Sequence, residues 1–272
     1  CSLVIGARVH GLERLGAWAE RRLVAALDAQ FALDGGHEER SPSYHLGLLS
    51  ALTELRLLLG GSAPSVLDGA LERSLAFAAN IEHGDGDVPQ FHDSQLGSRP
   101  TRRELSALLG LAHEARDGLW HHEQTGYVVA RLGPHHLILD CGRFGAPTQP
   151  AHAHCSALSF ELSSGMERLL VNRGTMAYGE GARRRATRGT AFHNTLQLGG
   201  HEQAELWRGF RMGARGAAVV ERLEFDEDRV LIQGAFTWPA PTHLTHRRRL
   251  ILQRCGRLEV TDWLSTPDGE PA

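Results

Sequence analysis

Between Val9 and Phe31 apolar residues recur at helical spacing (Leu12, Leu15, Ala19, Leu23, Ala26, Leu27), with Arg and Glu on the remaining positions. A Leu-rich stretch from Leu46 to Leu59 predicts a second helix that stops at Gly60-Gly61. Ser65 is placed to cap a third helix over Val66–Ile81, and Thr101 a fourth running to about Ala115. The N-terminal part therefore reads as antiparallel helix pairs, with polar residues gathered in two loops, Asp34–His45 and Gly84–Ser94. After Asp117-Gly118 the apolar period shifts toward two, in short runs separated by Gly, Pro and Asn. Tyr127–Leu132 and Leu137–Asp140 flank Gly133-Pro134 as a hairpin, and further runs lie at 157–162, 169–171, 195–198, 217–223, 230–236, 250–253 and 258–263. So many short strands predict an antiparallel sandwich. The expected organisation is α+β: a helical part over 1–117, then a β-sandwich over 118–272. Strands not interleaved with helices exclude a (β/α) barrel.

Composition narrows the function classes. The chain has 272 residues, 42% hydrophobic and 22% charged, as in ordinary globular proteins. A net charge of −3, from 29 basic and 32 acidic residues, supplies no field to collect nucleic acid. Every basic residue is Arg, a usage that fits a GC-rich bacterial gene. No apolar run approaches the ~18 residues that span a bilayer, so no membrane span is expected. The four Cys lack C-x-x-C spacing and indicate neither a zinc ribbon nor a disulfide framework. The chain opens on Cys1 within a helical stretch and closes just after a strand, which reads as a segment of a longer protein.

Sixteen His are many for this length, and His is both a proton carrier near neutrality and a common metal ligand. His152-Ala153-His154 is the most informative triplet: on a strand both imidazoles leave one face, about 7 Å apart, and converge on one ligand. A third element, Arg188–Thr195, carries His193 and Asn194 at the start of a strand behind Arg183, Arg184 and Arg185. Asp93 reads as a helix or turn cap, and Arg247-Arg248-Arg249 as a solvated strand edge.

Together these segments resemble the heparinase II/III family of polysaccharide lyases. The family's H-x-H-x-D-x-L-S strand stands here as His152-Ala153-His154-Cys155-Ser156-Ala157-Leu158-Ser159, and its L-L-V-D-x-G-T turn as Leu169–Thr175, followed by Tyr178. Its R-x-T-x-x-H-N-T segment is Arg188–Thr195, and its D-G-G-H-x-E-R-S-P-x-Y-H loop is Asp34–His45. Trp207-Arg208-Gly209-Phe210-Arg211 matches as well. The resemblance implies the C-terminal part of an (α/α) toroid followed by a β-sandwich, with an acidic, uronic-acid-containing polysaccharide bound between them and cleaved by β-elimination. It further implies a periplasmic or cell-envelope location.

By position Tyr44 corresponds to the family's acid/base Tyr and His152 to a catalytic His. Glu39, Arg40, His45, Arg188 and Asn194 fall in motifs that imply substrate contact. His154 and His193 correspond to ligands of the zinc found in some members, but Asn172 replaces the third ligand, an Asp, and Ser156 replaces the Asp of the H-x-H-x-D motif. The family's Asn-His element, which neutralises the substrate carboxylate, has no match in residues 1–31. Two alternatives share these residues: C5 epimerisation of uronates, and a non-catalytic glycan-binding or exopolysaccharide-assembly protein of the same fold.

Overall fold

The computed structural model describes residues 1–112, 116–240 and 242–266. The long N-terminal periodic stretch is two helices: α1 (Ser2–Val9) ends before Gly11, whose φ of +64° breaks the run, and α2 (Glu13–Gln30) follows. α3 (Pro42–Leu59) begins four residues earlier than the Leu pattern indicated, because Ser41 occupies the N-cap position and Pro42 the first turn. Tyr44 and His45 accordingly lie on a helix, not in the loop expected for them. α4 (Ser65–Ile81) starts at Ser65, whose side chain makes no capping bond. α5 (Arg102–Leu109) has the predicted cap at Thr101, completed by Glu104 into a capping box. It ends at left-handed Gly110, well short of Ala115, which lies outside the described residues.

The strands begin at β1 (Gly118–His122), β2 (Tyr127–Leu132), β3 (His135–Asp140), β4 (Phe160–Ser164) and β5 (Glu167–Leu170), one antiparallel sheet in chain order. A short helix, α6 (Ala182–Arg188), and the hairpin β6 (Ala204–Trp207)–β7 (Arg211–Arg215) lead to a second antiparallel sheet. Its strands β8 (Ala217–Phe225), β9 (Arg229–Thr237), β10 (Thr245–Gln253) and β11 (Leu258–Ser265) stand in the order 11-10-9-8. Two expectations fail. Residues 195–198 form no strand, only an isolated bridge between Leu198 and His201. His152 closes a 3₁₀ turn (Pro150–His152), and His154 follows in an irregular segment, six residues before β4. The arginine run also differs from its reading, because β10 is flanked by β9 and β11 on both sides. Arg248 points inward, pairing with Asp262 and donating to the Leu158 carbonyl.

Within the first sheet β2 and β3 are buried on both faces, so they read as nearly continuous apolar runs. Val128, Ala130, Leu132, Leu137 and Leu139 pack against Val230, Ile232, Phe236, Leu250 and Leu252 of the second sheet. The alternate residues Tyr127, Val129 and Ile138 face the helical layer and meet Phe77, Ile81 and Phe91. The order is thus helices, five-stranded sheet, four-stranded sheet, with period two deciding which core each strand residue joins. No described helix is long and apolar enough to cross a membrane.

Candidate active site

The loop that follows α4 folds back beneath the first turn of α3. There the Ser94 hydroxyl accepts a hydrogen bond from the Ser43 amide (3.1 Å) and lies 3.2 Å from the Ser41 hydroxyl. This pins the neighbouring Asp93, fully buried, beside Tyr44. Three side chains converge on the Asp93 carboxylate. His152 Nδ1 is 2.9 Å from Oδ2, and His154 Nε2 is 2.8 Å from Oδ1. Arg184, from α6, engages both oxygens as a fork, with Nη2 at 2.8 Å from Oδ2. The two histidines of the H-x-H triplet therefore do converge, on a protein carboxylate, although no strand presents them.

Charge sets the proton positions. Burial alone would raise the Asp93 pKa, but hydrogen bonds from His152, His154 and Arg184 hold it well below the usual carboxylate range. Burial lowers the His154 pKa, so that ring is neutral and donates through Nε2. His152 turns Nδ1 to the ionised Asp93 and leaves Nε2 as the outward nitrogen, 3.6 Å from Glu39 Oε2. The His152 and Tyr44 rings meet edge to face, with centroids 4.6 Å apart. Burial, then the Tyr178 hydroxyl and the Asp93 charge, raise the Tyr44 pKa, which keeps the phenol protonated. Tyr44 opens on a cleft of about 390 Å³ lined also by Gln30, His37, Glu39, Gly47, Leu48 and Arg99. Burial, Glu38 and Asp93 raise the Glu39 pKa, against the pull of His152. A larger hollow of about 780 Å³, between the end of α2 and β8, is lined by none of Tyr44, Glu39, Asp93 and His152.

Four residues expected at the substrate are engaged inside the protein. Arg40 is buried, forming an ion pair with Asp140 and donating to the carbonyls of Thr125, Gly126 and Arg143. His45 is buried with Nε2 on the Ser74 carbonyl, 3.0 Å away. Arg188 is fully buried and donates to the carbonyls of Ala153, Gly209, Arg211 and Pro150. Burial and the neighbouring Arg184 push its pKa down to about 10. Asn194 bonds to Phe160 through both side-chain atoms, accepting from its amide (2.9 Å) and donating to its carbonyl (2.7 Å). Glu39 alone of that group lines the cleft. Ser156, where the family carries Asp, donates to Asp140 at 2.8 Å.

The zinc expectation can be tested on the donors present. The His154 and His193 rings are 5.4 Å apart, and His154 Nδ1 is buried without a hydrogen-bond partner. However, His193 Nδ1 faces the Asn172 carboxamide oxygen at 2.6 Å, and Asn172 in turn donates to Ser159. Among the described residues no three His, Cys, Asp or Glu side chains converge as a metal would require. Two imidazoles and a neutral amide do not fit zinc.

Sequence reasoning missed Asp93 and Arg184. Their only signal was a His-Asp-Ser triplet in a polar loop and an arginine cluster, and neither shows that the two meet across 91 residues.

Comparison with known proteins follows the same outline. Residues 114–272 match the sequence model of the heparinase II/III-like C-terminal family. Crystallographic heparinase III superposes with a TM-score of 0.77 at 18% identity, covering 93% of this chain and 44% of that one. Heparan sulfate lyase HepC from Pedobacter heparinus superposes at 0.69 and 16% identity, covering 93% and 42%. FtsZ-localized protein C of Caulobacter vibrioides is 28% identical over 244 residues, covering 86% of this chain and 42% of that protein. The chain thus spans less than half the length of these relatives. The helices correspond to part of a toroid and the strands to the β-sandwich behind it.

Proposed function

Because this chain belongs to the heparinase II/III-like family, we propose that it cleaves a uronic-acid-containing polysaccharide by β-elimination at the Tyr44 cleft, with His152 against the Tyr44 ring. The reaction needs a base for the C5 proton, an acid for the departing O4, and relief of the charge that builds on the C6 carboxylate. The observation that carries the reading is the pairing of a base-ready and an acid-ready group in contact. His152 has its Nδ1 committed to Asp93 and presents Nε2, 3.6 Å from Glu39 Oε2, as the atom that accepts the C5 proton in the proposed step. Tyr44 stands 4.6 Å away, centroid to centroid, with a phenol held protonated. In the proposed step the C5–H electrons become the C4–C5 double bond, the C4–O4 bond breaks, and Tyr44 supplies the proton to O4.

The test is incubation with alginate, heparan and heparosan polymers, followed by near-ultraviolet absorbance and chain length. A 4,5-unsaturated end with falling chain length is the expected result. Deuterium entering C5 without cleavage identifies an epimerase instead. A second reading, a glycan-binding protein that keeps the cleft without the chemistry, is favoured by the Asn172–His193 pairing and by a relative named for localisation with FtsZ. Binding with neither product nor exchange supports that reading.

A further inference from the structure

β-Elimination requires a positive or hydrogen-bonding group on the C6 carboxylate, and the arginines nearest the catalytic pair are not free to serve. Arg184 grips Asp93, Arg188 is surrounded by backbone carbonyls, and Arg40 is paired with Asp140. Arg99 is different. It is exposed, lines the same cleft as Tyr44 and Glu39, and has no hydrogen-bond or ion-pair partner among the described residues.

Its position is built by three features of the chain. Gly47 lies one turn along α3 from Tyr44, so both present the same helix face, separated by roughly 4.5 Å of rise. The Arg99 side chain lies flat against this glycine: a Cβ at position 47 would stand 3.2 Å from Arg99 Nε and 3.4 Å from Cζ. The loop that carries Arg99 is fastened on both sides. Asp87 accepts from the Gly97 amide at 2.7 Å, and the Thr101–Glu104 capping box starts α5 two residues later. The guanidinium is therefore held over the cleft by packing and loop anchors, with its donors unclaimed.

We propose that Arg99 is a substrate-binding residue that takes the carboxylate of a uronate in the Tyr44 cleft. A guanidinium matches a carboxylate with two parallel N–H donors, and it offsets the repulsion that Glu39 presents to an anionic sugar. The assignment rests on the reading of the cleft as a uronate site and names the group that recognises the charge.

Calorimetric titration tests it, using alginate and heparosan hexasaccharides and their carboxyl-reduced counterparts against wild type, Arg99→Ala and Arg99→Lys. Arg99→Ala is expected to weaken binding of the acidic hexasaccharide by about tenfold or more and to leave the carboxyl-reduced form unchanged, with Arg99→Lys between. Because Arg99 is exposed, the fold is not at stake, and circular dichroism of each variant checks this. Equal weakening of both sugar forms, an Arg99→Ala variant that binds like wild type, or a wild type that binds no acidic hexasaccharide would each overturn the assignment. Unsaturated ends are read in the same samples. Their absence alongside the charge-dependent loss would sink the lyase reading and leave Arg99 in place as the carboxylate contact.

Discussion

Acid should unfold this protein well above the pH at which carboxylates titrate. His37, His45 and His122 are buried around Phe31 and Phe77, with His45 and His122 edge-on to Phe77 at 5.0 and 4.8 Å. Burial, with smaller effects from neighbouring histidines, lowers His37 to about 3, and burial likewise lowers His45 and His122 to about 4, from an ordinary value of 6.5. The folded state therefore excludes protons that the unfolded chain binds. This contribution is complete above pH 6.5 and is lost as pH falls toward 4. Each such histidine costs about 1.4 kcal/mol per pH unit below 6.5, so lowering the pH from 7 to 5.5 removes about 4 kcal/mol through these three. That is a large share of the roughly 5–15 kcal/mol that holds a domain folded. Urea titrations followed by circular dichroism at pH 7.0 and 5.5 measure the loss. His45→Gln keeps a donor for the Ser74 carbonyl and should shrink it by about a third. Equal urea midpoints at the two pH values, or a His45 ring resonance titrating near 6.5, would refute the reasoning.

Tyr44→Phe removes one hydroxyl and keeps the ring against His152; kcat on the cleaved polymer should fall about 10²–10⁴-fold with KM little changed, as steady-state kinetics will show. Asp93→Asn leaves the buried Arg184 without its counter-charge and should cost about 3 kcal/mol or more in denaturant stability; an unchanged midpoint would mean that the fork carries no weight. Asn172→Asp supplies the carboxylate that the His154–His193 pair lacks, so this variant should retain zinc after dialysis, measured by atomic emission, where the parent does not.

The strong periodicities were legible. The Leu-rich stretch gave α3, and the runs near 217, 230 and 258 gave β8, β9 and β11 almost to the residue. What failed was decided by contacts distant in sequence. β7 carries a Gly, and in both strands exposed residues outnumber buried ones, so no alternation marks them. The H-x-H segment looked like a strand because its spacing is also that of a strand, yet Pro150 starts a turn there. Motif likeness singled out Tyr44 and His152, and their rings are in contact. It could not tell a guanidinium that meets solvent from one that meets carbonyls, since Arg188 and Arg99 differ only in what the rest of the fold brings to them.

The family segment begins at residue 114, which leaves Asp93, Phe77 and Phe91 outside it. Yet Arg184 within that segment takes its counter-ion from Asp93, and Tyr127, Val129 and Ile138 take their cover from Phe77, Ile81 and Phe91. In this chain the matched stretch is therefore not a self-sufficient packing unit. Produced alone from this chain it would carry a stranded buried cation and one wet apolar sheet face, so this segment is expected to fold only with the helical layer and the Asp93 loop that precede it.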